Sequence, residues 1–122
     1  MIFLFINFLI NPATKNSNSN GYSVLHIDNI SFASTSNMNI ICFLKKSEEN
    51  ILIIAVNLDP FNQQEAVVNI PLREAGMESN ARYKVSDLLS GDKFYWQGER
   101  NFVKLNPFDL PAHVLRVEQI LT

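Results

Sequence analysis

Two histidines, one cysteine and a scatter of aspartates and serines are the residues from which this chain could assemble chemistry. A nucleophilic triad needs Ser or Cys, a His base and an orienting acid. His26 and His113 are the only bases of that kind, and no serine stands in a G-x-S-x-G elbow. His113 follows Pro111 and Ala112 at a strand entrance and reads as a structural hydrogen-bonding residue. Cys42 lies inside the apolar run IICFL, where a thiol is buried and inert. As the single cysteine it allows no internal disulfide, and without a C-x-x-C pair or a His/Cys cluster no metal is expected. Two suitably spaced carboxylates suffice for glycoside chemistry. Yet Asp28, Asp59, Asp87, Asp92 and Asp109 all fall at or near ends of apolar runs, where aspartate serves turns and caps. Gly21, Gly76, Gly91 and Gly98 are isolated from one another, so no phosphate-cradling loop and no cofactor is expected. No residue is assigned a catalytic role.

Binding chemistry has one better signal. Phe94, Tyr95 and Trp96 are consecutive, and on a strand Phe94 and Trp96 share a face while Tyr95 takes the other. At least one large ring is then turned outward, where it could stack on a sugar or on another domain, so Trp96 and Tyr95 are the candidate carbohydrate-binding residues. Lys and Arg total 10 along a chain of net charge −2, which leaves no basic stripe to neutralise a phosphate backbone. Nucleic acid is not an expected partner.

The elements that must position these side chains are short. From Gly21 onward, runs of β-branched and aromatic residues alternate with turn signals at the spacing of an all-β sandwich. Strands are expected over 24–28, 40–45, 51–58, 65–70, 82–86, 93–97, 102–105 and 113–118, with one helical turn over 72–76. The run ILIIAVNL is almost continuously apolar, which fits a central strand covered on both faces. It forms an antiparallel hairpin with ICFLKK. In RYKVS, Tyr83 and Val85 point one way and Arg82, Lys84 and Ser86 the other, as in a strand with one wet face. The turns at Ser90–Gly91 and 98–101 join RYKVS, KFYWQ and FVKL into an expected three-strand meander. In the closing strand Val114 and Arg116 share one face, Leu115 and Val117 the other.

The leader MIFLFINFLI is shorter than the roughly 20 apolar residues of a membrane span. A secretory signal would place a cation ahead of the apolar run, whereas none precedes Lys15. The leader reads as a short amphipathic or buried helix ended by Asn11 and Pro12, and NPATKNSNSN as a linker. The division is 1–20, apolar helix and linker, and 21–122, β domain, in a cytoplasmic chain that engages no membrane. With 122 residues, 47% of them apolar and 18% charged, there is material for one core.

Five blocks carry a resemblance: VNLDP at 56–60 followed by Gln64 and Glu65; IPL at 70–72; YKVSDLLSGDKFYW at 83–96; NFVKLNP at 101–107; and PAHVLRV at 111–117. In that order and spacing they closely resemble the C-terminal β domain of the α-1,4-glucan:maltose-1-phosphate maltosyltransferases of the α-amylase superfamily. The likeness runs from about Asn11 to Val117 and is dense after Asn50, and NPA at 11–13 is similar to the residues that follow the last barrel helix in those enzymes. The resemblance implies an antiparallel β-sandwich of about eight strands that packs on and stabilises a (β/α)8 barrel. The barrel holds the aspartate nucleophile and glutamate acid/base of maltosyl transfer, so no catalytic residue carries over to these positions.

Phe61 stands where the family usually has histidine after NLDP, which puts in doubt any polar contact made from there. MIFLFINFLI takes the place of a helix that is normally richer in Arg and Lys. The expected chain is therefore a separated, non-catalytic piece of such an enzyme. Its orphaned apolar surface, with Phe3, Phe5, Phe8 and Leu9, would meet a barrel or a second copy. The alternative is an independent sandwich that binds α-glucan through Trp96 or Tyr95.

Overall fold

The computed structural model of the chain describes residues 29–48 and 50–121. Among them are eight strands: β1 (Ile30–Thr35), β2 (Ile40–Lys46), β3 (Ile51–Asn57), β4 (Gln64–Asn69), β5 (Arg82–Asp87), β6 (Lys93–Gln97), β7 (Arg100–Leu105) and β8 (Ala112–Leu121), with a 3₁₀ turn at Leu72–Ala75. All pairings are antiparallel, and the strand order is β6-β5-β8-β3-β2-β1-β4-β7. This is the expected all-β class. The leader with Phe3, Phe8 and Leu9, its expected helix, the division at residue 20 and the expected strand over 24–28 lie outside the described residues.

β1 is the corner of the fold. Its first four residues pair with β2, whereas Ser34 and Thr35 pair with Asn69 and Val68 of β4, so one strand passes from one sheet to the other. The sheets thus wrap around a shared interior. Ile40, Cys42 and Leu44 of β2, Ile53 and Ala55 of β3, Ala66 and Val68 of β4, Tyr83 and Val85 of β5, Val103 and Leu105 of β7 and Leu115 of β8 point into it. Each strand contributes alternate residues because its side chains repeat with period two.

β3 is apolar on both faces for a visible reason. Ile53 and Ala55 enter that core, while Ile54 and Val56 join Phe43, Ala112 and Val114 in a second cluster on the outer face of β2, β3 and β8. Ile53, Ile54 and Val56 are fully buried, each a gain of about 1.5–3 kcal/mol over exposure. The expected hairpin of β2 with β3 holds over seven registered pairs, Ile40↔Asn57 to Lys46↔Ile51.

One expected connection is corrected. β5 and β6 form a hairpin, but β7 pairs with β4 along Gln64↔Leu105 to Asn69↔Arg100, so the three-strand meander does not form. Gly98, at φ +77°, donates its N–H to the carbonyl of Ala81, and its own carbonyl accepts from the Tyr83 hydroxyl (3.0 Å) and Asn101 Nδ2 (3.1 Å). With these groups committed, the chain leaves the first sheet and delivers Val103 and Leu105 to the core opposite Ala66 and Val68.

Burial pushes the Cys42 thiol up to about 12, leaving about a thousandfold less thiolate than an unburied cysteine has at the same pH. A disulfide-exchange reagent is expected to label the native chain only as fast as it opens. Labelling within seconds without denaturant would contradict the packing of β2.

Candidate functional site

Two hydrogen-bonded side-chain clusters sit at strand ends. β5 terminates in Asp87, whose side chain is fully buried. Its Oδ1 accepts from the backbone N–H of Leu89 (3.0 Å) and of Val114 (3.3 Å). Its Oδ2 accepts from Ser90 Oγ (3.0 Å) and lies 2.7 Å from His113 Nδ1. Burial pushes this carboxyl upward, but the His113 hydrogen bond, the Leu89 N–H, the charge of His113 and the Val114 N–H outweigh it and hold the group below its usual range. An ionised carboxylate can only accept, so Nδ1 of His113 carries the proton in this contact.

Ser90, His113 and Asp87 therefore meet, but in the wrong order for catalysis. A triad needs the imidazole between hydroxyl and carboxylate, so that its second nitrogen takes the serine proton. Here the carboxylate sits between the other two, and Ser90 donates to an acid that is already the partner of the histidine. The constellation pins β8 to the β5–β6 turn, the structural role expected of His113.

A second lock sits on the β3–β4 connection, in the VNLDP block. Asn57 is fully buried; its Nδ2 donates to the carbonyls of Asn62 and Leu105 (3.0 Å each), and its Oδ1 accepts from Asp59 N–H (2.8 Å). Asp59 then gathers the loop, with Oδ1 accepting from Phe61 N–H and Asn62 N–H and Oδ2 from Asn62 Nδ2 and Gln64 Nε2. Led by the Phe61 N–H, these bonds hold the Asp59 carboxyl below its usual range.

Both locks lie at one end of the fold, where the β1–β2, β3–β4, β5–β6 and β7–β8 connections gather. Leu58 N–H donates to Asn39, Asn57 N–H to Pro111 and Leu88 N–H to Val114. On these four loops stand Met38 (91% exposed), Phe61 (75%), Phe108 (80%) and the half-exposed Leu58, Leu88 and Leu89. These large apolar side chains are held out on turns that backbone hydrogen bonds tie to one another. Sequence reading looked for an interdomain contact in the leader, which lies outside the described residues, and did not single out these loop residues. The available signal was an apolar residue inside each turn, SNMN, NLDPF, SDLLS and NPFDL, where turn chemistry favours polar ones.

The two candidate carbohydrate-binding residues are not brought together. Tyr95 projects outward, 69% exposed, with the Lys84 ammonium 6.0 Å from its ring centroid. Trp96 turns toward the core, edge-on to Tyr83 at 6.3 Å, beside Phe94 on the same face. Among the described residues no group of three or more His, Cys, Asp or Glu is placed to hold a metal, and no helix is long and apolar enough to cross a membrane.

Residues 32–117 match the protein family described as "GLGE, C-terminal". The chain is similar to the α-1,4-glucan:maltose-1-phosphate maltosyltransferase of Picrophilus torridus, with 32% identity over 106 residues that make up 87% of this chain and 17% of that protein. It is similar also to the enzyme of that name from Chlorobaculum tepidum, with 44% identity over 68 residues, 56% of this chain and 10% of that protein. The chain thus spans between a tenth and a sixth of the length of these curated relatives. In fold it is similar to part of the noncanonic maltogenic α-amylase AmyB from Thermotoga neapolitana, with a TM-score of 0.54 and 11% identity over 76% of this chain and 20% of that one.

Proposed function

The chain belongs to the family described as GLGE, C-terminal, and from that premise we propose that it is the non-catalytic β domain of a cytoplasmic maltosyltransferase, seated on a (β/α)8 catalytic barrel that it stabilises. The observation that supports this most is the pattern of coverage, which takes in 56–87% of this chain but only 10–17% of each full-length relative. Maltosyl transfer from maltose 1-phosphate to an α-1,4-glucan then belongs to the barrel. The β domain contributes surface.

The loop end is the face that seats it. The outer cluster of Phe43, Ile54, Val56, Ala112 and Val114 is sealed from solvent, whereas Met38, Phe61 and Phe108 are open, Phe61 on the loop that Asn57 and Asp59 hold. Phenylalanine in place of the family's histidine after NLDP makes that face more apolar.

A chimera tests the reading: residues 32–117 replace the matching segment of the Picrophilus torridus enzyme. The chimera is expected to transfer maltosyl units, and the purified chain alone to show no turnover of maltose 1-phosphate. The double substitution Phe61→Asp and Phe108→Asp is expected to change the stability of the isolated chain by less than about 0.5 kcal/mol. In the chimera it is expected to cost about 2 kcal/mol, a drop of several degrees in Tm. Turnover by the chain alone, or a dead chimera beside an active parent, would refute the proposal.

A further inference from the structure

β6 and β7 end the strand order at its two extremes, and the fold leaves a seam between them. That seam is a cleft of about 290 Å³ whose wall includes the rings of Phe94, Trp96 and Phe102 together with His113, Asp92 and Lys104. This is close to the lower limit of ligand clefts, about 300 Å³, and suits a body the size of a sugar ring better than a nucleotide. We propose that the seam binds a pyranose unit of an α-1,4-glucan; the choice of α-glucan rests on the functional reading above, while the site itself rests on the cleft.

Three features of the cleft suit a neutral polyhydroxyl ring. The aromatic faces supply the apolar platform on which the C–H face of a pyranose stacks. His113 supplies a fixed imidazole: its Nδ1 lies 2.7 Å from Asp87 and its ring meets Phe94 edge-on at 5.7 Å, which leaves Nε2 as the ring's other hydrogen-bonding atom. Asp92 and Lys104 add an acceptor and a donor of opposite charge, which favours hydroxyls over a charged group. A sugar hydroxyl pairs with His113 Nε2, donates to the Asp92 carboxylate and accepts from the Lys104 ammonium. Trp96, the only tryptophan, is in the wall and reports on occupancy.

Titration of the full chain with maltotriose, followed by Trp96 emission and by calorimetry, is expected to saturate with Kd on the order of 1 mM, as fits a small, shallow site. Phe102→Ala, a change at a half-exposed rim position, is expected to weaken binding about tenfold, while Tyr95→Ala, on the opposite face of β6, leaves it unchanged. No saturable change with the native chain overturns the proposal. Loss in Tyr95→Ala with retention in Phe102→Ala overturns it too, because the ligand then sits on the outer face. An equal response to cellotriose removes the α-glucan assignment. The chimera assay reads domain seating without reference to this cleft, so a flat titration leaves that result standing.

Discussion

Asp87→Ala is expected to lower the stability of the chain by about 3–5 kcal/mol, a large share of the 5–15 kcal/mol that holds a domain of this size. The substitution removes a fully buried acceptor and leaves the N–H groups of Leu89 and Val114, the Ser90 hydroxyl and His113 Nδ1 without the oxygens they face. Those donors hold β8 against the β5–β6 turn, so the loss spreads to two elements. In urea the unfolding midpoint is expected to move down by roughly 2 M, for a slope near 2 kcal/mol/M. Asp87→Asn, which keeps one acceptor oxygen but aims an amine at the donors, falls between the two. A midpoint unchanged in Asp87→Ala would mean that the lock contributes nothing.

The same group sets the response to acid. Its folded-state carboxyl titrates below the usual range, so the unfolded chain binds the proton first as pH falls. Its contribution is complete above the unfolded value of about 4 and is lost as pH drops through the folded one. Denaturation midpoints measured between neutrality and strong acid are therefore expected to fall more steeply for the native chain than for Asp87→Asn. Parallel slopes would remove Asp87 from the account.

Asn57→Ala is the second large effect, expected to cost about 2–4 kcal/mol. Three hydrogen bonds disappear, and the buried carbonyl of Leu105 loses the amide that satisfies it. Because Asp59 orders 59–64 from the anchor that Asn57 supplies, the loop carrying Phe61 is freed as well. The chimera should show it twice, in a lower Tm and in weaker seating of the domain. If Asn57→Ala unfolds at the same denaturant concentration as the native chain, the β3–β4 loop is held by something else.

These two residues explain why the motif blocks could be read at all. VNLDP, SDLLSGD and PAHV look like sites because they concentrate Asp, Asn, Ser and His, yet each builds a turn: Asn57 and Asp59 fold one loop, Asp87 and Ser90 another, and His113 joins the second to β8. Asp59 and Asp87, each at the end of an apolar run, served turns, as their positions indicated. The ranges of β2, β3 and β6 were legible because their apolar residues keep a clear pattern over five or more positions. β1 was not, since ISFAST holds two small hydroxyls, an alanine and a threonine, with Phe32 largely exposed; it is a strand because β2 and β4 hold it from either side.

What one sequence can settle here is local. Alternation assigned Phe94 and Trp96 to one face and Tyr95 to the other, and the continuous run of β3 required cover on both sides, because side-chain direction in a strand depends only on residue parity. Partner choice is not local. Gly98 followed by an alternating run looks the same whether the next strand continues the hairpin or crosses to the other sheet; the outcome turned on Tyr83 and Asn101, distant in sequence from each other, converging on one carbonyl. The gathering of Met38, Phe61, Leu88 and Phe108 at one end, and the open seam between the first and last strands in the order, arise from the same long-range pairing. Ladder hydrogen bonds join residues far apart in the chain, and no window along it contains both sides of such a bond.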